Sequence, residues 1–223
     1  MTRLGIVTGL AAEARSLDRF VRRSLTPTHI IHAAGDAEAA AQSFVAQGVG
    51  SLMSFGIAGG LDPALKPGQV IVATEIVVGN RERFDCQAAW RDELMATLDG
   101  FSPVAAPLVG SYKAIASVAD RAALHARFTA AAVDMESHGV ARVAARAALP
   151  FAAVRVIADP ALRALPSSAL AGLNDRGETQ YLAVLRELAR HPLQLPGLVR
   201  VALDSHQAMK ALGRVADELF GGG

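Results

Sequence analysis

The stretches AVDMES (residues 132–137) and VRVIADP (residues 154–160) decide how this chain folds. Each is a short apolar run that ends in a carboxylate, and residues 138–148 between them have the pattern of a helix. A strand, a helix and a second strand in this order are typical of a parallel sheet. Ligands of open α/β sheets bind beyond the carboxyl ends of the strands. The two stretches therefore predict that Glu136 and Asp159 follow neighbouring strands beside one binding crevice.

The two carboxylates suit two different tasks at such a crevice. Glu136 could accept hydrogen bonds from both hydroxyls of a vicinal diol, as in a ribose, and Asp159 could be tuned by an apolar setting to carry the proton that a purine leaving group needs. Other interpretations stay open: Glu136 as an acid at a helix N-terminus, Asp159-Pro160 as a turn, and Arg155 as a salt-bridged strand residue.

Composition favours one soluble, cytoplasmic domain over residues 1–223. The chain has 22 Lys+Arg against 21 Asp+Glu, so no basic excess points to a nucleic-acid partner. The single cysteine, Cys86, excludes an internal disulfide and fits a reducing compartment. The apolar run near the N-terminus is too short for a signal peptide or a membrane span.

Short apolar segments alternate with longer amphipathic ones along most of the chain. This alternation predicts a single-domain α/β fold with a twisted, mixed but mostly parallel sheet flanked by helices. The predicted strands are 3–8, 28–33, 51–55, 69–78, 104–109 and 113–118, in addition to the two described above. The predicted helices are 11–21, 37–47 after an Asp36 N-cap, 85–98, 120–127, 138–148, 180–190 and 196–220. Residues 160–179 are predicted to form a functional loop.

The strings VDMES (residues 133–137) and AVRVIAD (residues 153–159) resemble the superfamily of nucleoside phosphorylases and methylthioadenosine/S-adenosylhomocysteine nucleosidases. The resemblance implies N-glycosidic bond cleavage, with Met135 beneath the ribose, Glu136 on its hydroxyls and Asp159 protonating the base. Arg155 would help to hold the anionic side of the site. Family members are oligomers, which implies a homodimer or larger assembly. No metal or organic cofactor is implied, and inorganic phosphate is a candidate cosubstrate.

The identity of the nucleophile depends on residues 9–15 and 56–60. Residues 56–60 (GIAGG) resemble the glycine loop beneath the ribose, which assigns Gly59 to the substrate and Gly56 to phosphate. Nucleosidases of the family orient the attacking water with a glutamate whose ungapped match is Ala14, and a one-residue shift would give this role to Glu13. Without that carboxylate, Gly9 and Arg15 at a helix N-terminus would receive phosphate.

The short segment between residues 78 and 104 and the tail HPLQLP (residues 191–196) look most like the bacterial hopanoid-associated phosphorylases. That resemblance implies a 5′-substituted adenine nucleoside, such as adenosylhopane, with phosphate as the nucleophile. The alternatives are a methylthioadenosine/S-adenosylhomocysteine nucleosidase that uses water and a nucleoside-binding module without turnover.

Overall fold

A mixed sheet of eight strands lies at the centre of the part of the chain that the structure describes. The structure is a computed structural model that describes residues 3–21, 29–32, 36–170, 186–188 and 190–221. The strands are β1 (Leu4–Thr8), β2 (His29–His32), β3 (Ser51–Gly60), β4 (Val70–Val78), β5 (Glu82–Asp85), β6 (Val104–Gly110), β7 (Ala132–Asp134) and β8 (Phe151–Asp159). The helices are α1 (Ala11–Val21), α2 (Ala37–Ala46), α3 (Ala88–Thr97), α4 (Val118–Phe128), α5 (Ser137–Arg146), α6 (Ser167–Leu170) and α7 (Leu195–Phe220).

The sheet is partly closed because β8 connects strands that are far apart in the main strand order. That order is β2-β1-β3-β7-β6-β4-β5, and β8 pairs in parallel with β3 and antiparallel with β4. Strands β1, β2, β3 and β8 run parallel to one another, whereas β7 is antiparallel to β3. The predicted α/β fold with a mixed sheet and flanking helices is confirmed.

Helices cover the sheet on two sides, and each side has its own apolar core. Ile6 and Val7 are both fully buried neighbours on β1, and they belong to different cores because side chains alternate along a strand. Val7 packs in the core that α2 and α5 cover, whereas Ile6 packs with α1 and α7. Burying a side chain of this size contributes about 1.5–3 kcal/mol, so both layers stabilise the strand ends that carry the site.

Three local predictions are wrong. The strand predicted to end at residue 55 continues to Gly60. Asp85 does not begin a helix, since it ends β5, which pairs antiparallel with residues 75–78 of β4. Residues 113–118 are not a strand, because the Ser117 side chain accepts a hydrogen bond from the Asp120 amide (3.1 Å) and thereby begins α4.

The N-cap predicted at Asp36 and the long C-terminal helix are confirmed. The segments predicted as a loop over residues 160–179 and a helix over 180–190 lie partly outside the described residues, and α6 occupies part of the first. Among the helices of the described ranges, none is long and apolar enough to cross a membrane.

Candidate active site

Strand β3 lies between the two strands that carry the predicted carboxylates. The prediction that β7 and β8 are neighbours is wrong, since both pair with β3 instead. Gly59 of β3 is opposite Val133 of β7 and opposite Asp159 of β8. The glycines of residues 56–60 leave room on β3 for side chains that approach from both sides. The ends of β7 and β8 therefore meet at Gly59.

Glu13, in the first turn of α1, has its carboxylate buried beside the ends of β1 and β3. Its Oε2 accepts hydrogen bonds from the amides of Gly9 and Leu10, both at 2.8 Å, and its Oε1 accepts one from the amide of Ile57 at 2.7 Å. A Cβ at Gly56 would lie 2.6 Å from Oε1 of Glu13, so a larger residue there would have to displace the carboxylate. Backbone groups from two strand ends thus fix the carboxylate.

The environment of Glu13 favours its protonated form more than water does. Burial raises the pKa of the Glu13 carboxyl, although Arg155 and the three backbone N–H groups act in the opposite direction. A carboxylate with a raised pKa is a better general base near neutral pH. Ala14, the other position considered for the water-orienting residue, is an apolar residue of the buried core.

Arg155 is a fully buried cation behind the acidic residues. Its Nε donates to Oδ2 of Asp134 (2.8 Å), and its Nη2 donates to the hydroxyls of Ser54 (2.6 Å) and Ser137 (3.1 Å). Burial alone would lower the pKa of Arg155, but the carboxylates of Asp134 and Glu136 raise it, so the guanidinium stays charged. Since Arg155 has no exposed surface, it organises the carboxylates from behind rather than facing a substrate.

Glu136 follows β7 and points toward the end of β1. Its Oε2 is 3.7 Å from Nη2 of Arg155, and a Cβ at Gly9 would lie 2.5 Å from its Oε1. Burial, followed by the Asp134 carboxylate, raises the pKa of Glu136 to about 8, while Arg155 acts to lower it. The preceding residue, Met135, is 46% exposed. A carboxyl group that is mostly protonated at neutral pH, beside an exposed apolar side chain, can both donate to and accept from hydroxyls.

Asp159 ends β8 and forms an ion pair with Arg121 of α4. The pair joins Oδ2 of Asp159 to Nη2 of Arg121, and both side chains are largely buried. A Cβ at Gly59 would be 3.5 Å from each carboxylate oxygen. Burial raises the pKa of Asp159, and Arg121 acts in the opposite direction. The Asp159 carboxyl thus borders the space beside Gly59.

The residues predicted to hold phosphate do not form a group of free hydrogen-bond donors in the described structure. Gly9 and Gly56 lie at the site, but the Gly9 amide already donates to Glu13 and Gly56 packs against the same carboxylate. The Arg15 side chain is exposed. A phosphate site at these residues stays a prediction, which the occupied amide disfavours.

Sequence reasoning missed Arg121, and it gave no role to Asp134, Ser54 or Ser137. A carboxylate inside the apolar run of β7 was a usable signal for Asp134, since an unpaired buried charge is rare. Arg121 gave no such signal, because it follows Asp120 on a helix whose other residues are ordinary and its partner is remote in sequence.

Within the described residues there is no group of three or more His, Cys, Asp or Glu side chains placed to hold a metal ion. Cys86 is buried, and burial raises the pKa of its thiol to about 12, so it stays protonated and unreactive. The ionisable groups that the described site brings together are carboxyl groups and arginines.

Comparison with known proteins relates the chain to one family. Residues 20–190 match the sequence pattern of the Phosphorylase superfamily. No curated protein matches the chain in sequence.

Solved structures share the fold at low sequence identity. One is a mutant of the 5′-methylthioadenosine/S-adenosylhomocysteine nucleosidase (MTAN) of Helicobacter pylori, with 5′-methylthioadenosine in its active site. Its TM-score is 0.69 at 16% sequence identity, and the match covers 98% of this chain and 99% of that chain. A putative 5′-methylthioadenosine/S-adenosylhomocysteine nucleosidase from Francisella philomiragia has a TM-score of 0.68 at 15% identity, and the match covers 99% of this chain and 98% of that chain. Futalosine hydrolase of Helicobacter pylori has a TM-score of 0.67 at 16% identity, and the match covers 97% of this chain and 98% of that chain. With the matched pattern spanning most of its length, the chain belongs to the phosphorylase superfamily.

Proposed function

We propose that this protein cleaves the N-glycosidic bond of an adenine nucleoside and releases adenine. The observation that carries the proposal is a set of three carboxyl groups, each packed against a glycine at the strand ends. The pairs are Glu13 with Gly56, Glu136 with Gly9, and Asp159 with Gly59. The similar structures support an adenine nucleoside as the substrate, since one of them, MTAN of Helicobacter pylori, holds 5′-methylthioadenosine in its active site.

The two predicted roles at the sugar and the base fit the places of Glu136 and Asp159. Glu136 would bind the ribose hydroxyls beside Met135, and Asp159 would donate a proton to a ring nitrogen of the purine. The C1′–N bond then breaks with its electron pair moving to the base, which leaves as neutral adenine, while positive charge develops on the sugar. General acid catalysis of this kind contributes about 10²- to 10⁴-fold.

Water is the nucleophile that the geometry favours. Glu13 would take one proton from a water molecule as the hydroxide bonds to C1′, so the net reaction adds one water across the broken bond. The raised pKa of Glu13 fits this role, and three backbone amides hold its carboxylate in one orientation. In the described residues the nearby cation, Arg155, is already bonded to Asp134, and the Gly9 amide already donates to Glu13, so neither group is available to a phosphate dianion.

Phosphate nevertheless remains the other candidate nucleophile, as an inorganic cosubstrate. It would require Glu13 to release the Gly9 amide, with Arg15 turned toward the site. In that case the products would be adenine and a ribose 1-phosphate.

We extend the proposal to a substrate with an apolar 5′ substituent, as in adenosylhopane. Two features support a large apolar group. Met135 is 46% exposed beside Glu136, and Leu162, three residues beyond Asp159, is 71% exposed. A homo-oligomer and a cytoplasmic location are part of the same proposal.

The deciding experiment measures adenine release from a 5′-alkylthio adenosine, from 5′-methylthioadenosine and from S-adenosylhomocysteine, each with and without inorganic phosphate. We expect release that does not depend on phosphate, is fastest with the longest apolar tail, and is lost in Asp159→Asn. Asp120→Asn is the matched control, because Asp120 is exposed on α4.

The other outcomes separate the alternatives. Phosphate-dependent release with ribose 1-phosphate as a product would establish a phosphorylase. Nucleoside binding with no release from any substrate would refute the proposed cleavage and indicate a binding module.

A further inference from the structure

Arg121 is held by three partners from different parts of the chain. It lies in the first turn of α4, and its side chain is 1% exposed. Its Nε donates to the carbonyl of Ile115 (2.8 Å), its Nη1 to the carbonyl of Pro160 (3.2 Å), and its Nη2 pairs with Asp159. The planar guanidinium is therefore fixed at all three nitrogens.

The Arg121 side chain contacts the end of β8 at two points. Arg121 binds both the side chain of Asp159 and the carbonyl of Pro160, the next residue. Burying a guanidinium is costly unless it is paired and hydrogen-bonded, and Arg121 has one ion pair and two hydrogen bonds to backbone carbonyls. A lysine could pair with the carboxylate but could not reproduce the planar fork.

Arg121 also reaches the space in which the nucleobase would lie. A Cβ at Gly59 would be 3.5 Å from Nη2 of Arg121 and 3.5 Å from both oxygens of Asp159. The shortest contact of the ion pair is made by Oδ2 of Asp159, and Oδ1 lies equally close to the Cβ position at Gly59. One face of the pair therefore borders Gly59.

We propose that Arg121 is a positioning residue for base release: it holds Asp159 through Oδ2 so that Oδ1 faces the purine ring nitrogen. This inference rests on the proposed N-glycosidic cleavage and adds a residue from α4 to it. Arg121 acts through Asp159 and takes no proton itself.

Three charged groups from different elements face Asp159. They are Arg121 of α4, Asp204 of α7 and Arg163 in the segment after β8. Arg163 and Asp204 form an ion pair with each other, so their opposite effects on Asp159 partly offset. Arg121 is thus the main group that lowers the pKa of Asp159 against the effect of burial. Without Arg121, Asp159 would keep its proton to a higher pH.

The test is the pH dependence of kcat/KM for adenine release in Arg121→Gln and Arg121→Lys. A general acid must be protonated, so activity falls as pH rises through its pKa. This fall of kcat/KM at high pH is the basic limb of the profile. In Arg121→Gln we expect the basic limb to move up by about 1–3 pH units, the usual effect of removing a neighbouring opposite charge. In Arg121→Lys we expect the limb to stay in place while the rate falls by about 10- to 10²-fold, because charge is kept and orientation is lost.

Arg142→Gln is the matched control for loss of a well-bonded arginine. Arg142 of α5 pairs with Glu38 (2.9 Å) and Glu82 (2.7 Å) and has no contact with Asp159 among the described interactions. It should lose stability without moving the basic limb. An unchanged limb in folded Arg121→Gln, or a wild-type rate and limb in Arg121→Lys, would overturn the proposal. The lysine variant decides alone if the glutamine variant does not fold.

A second readout separates this proposal from the proposed function. Adenine binding, measured by calorimetry across the same pH range, also needs the proton on Asp159. If the wild type releases no adenine but binds it, the cleavage proposal fails, and the shift of the binding limb in Arg121→Gln still tests Arg121. If the wild type neither binds nor releases adenine at any pH, both proposals are refuted.

Discussion

Replacing Glu13 by glutamine tests the nucleophile assignment directly. The carboxylate accepts three backbone hydrogen bonds, two at Oε2 and one at Oε1. Glutamine offers one oxygen and one NH₂ group. If its oxygen faces Gly9 and Leu10, the NH₂ group meets the amide of Ile57, and the reverse orientation leaves two amides without an acceptor. The less costly orientation therefore loses one buried hydrogen bond.

That loss has a definite size. Leaving one buried donor unsatisfied costs about 1–3 kcal/mol, whereas a domain is stable by about 5–15 kcal/mol, so Glu13→Gln should fold. Because glutamine cannot accept a proton, kcat should fall by about 10²- to 10⁴-fold. Urea unfolding measures the loss of unfolding free energy, and a continuous assay of adenine release measures the fall in kcat.

Glu75→Gln is the control for this substitution. Glu75 pairs with Arg83 (2.7 Å) on the β4–β5 hairpin, where an exposed pair contributes about 0–1 kcal/mol. Its activity should equal that of the wild type. If Glu13→Gln kept more than about a tenth of the wild-type kcat, well above the loss expected for a general base, Glu13 would not be that base.

Other predictions concern the glycines and the protonation of the site. In Gly9→Ala, a methyl 2.5 Å from Oε1 of Glu136 must displace that carboxyl, so KM should rise by about 10- to 100-fold, as expected for lost hydrogen bonds to the ribose; an unchanged KM would place the sugar elsewhere. In Gly59→Ala, the methyl makes ordinary contacts with Asp159 and Arg121, so the melting temperature should change little while kcat/KM falls; equal kcat/KM would mean that the base does not lie there. The Glu136 carboxyl of the unfolded chain ionises near its ordinary pKa of 4.5 and that of the folded chain near 8, so wild-type stability should fall as pH rises between these values. Chemical denaturation of Glu136→Gln should show a smaller fall, and an equal fall would assign the effect to another group.

The sequence was a good guide where one element carries its own signal. The apolar runs gave the positions of most strands, and the N-cap at Asp36 and the stripe of apolar residues on α7 gave helix boundaries. These features are local, because a cap or a period is decided by residues within a few positions of each other. The carboxylates at the ends of β7 and β8 could be found in the same way.

Long-range pairing was outside the reach of such signals. The glycines of residues 56–60 read as a loop, because glycine weakens an isolated strand, yet β3 continues through them with support from β7 and β8 on either side. Likewise, nothing near Arg121 indicates that Asp159 is its partner. Residues 113–118 show the opposite error, because a strand was predicted where none forms. Their apolar pattern suggested a strand, but Ser117 caps α4.

The protonation of the site follows from its charge balance. Arg155 is the buried cation that faces Glu13, Asp134 and Glu136, and Asp134 holds it most directly through a 2.8 Å hydrogen bond. One cation cannot compensate three ionised carboxylates in a buried setting, so the acids that are less closely paired keep their protons to higher pH. Burial is the first cause of the raised pKa of both Glu13 and Glu136, and at Glu136 the carboxylates of Asp134 and Glu13 raise the pKa further. Glu13 and Glu136 are thus the two carboxyl groups of this cluster whose raised pKa values suit proton exchange with water and with the sugar hydroxyls.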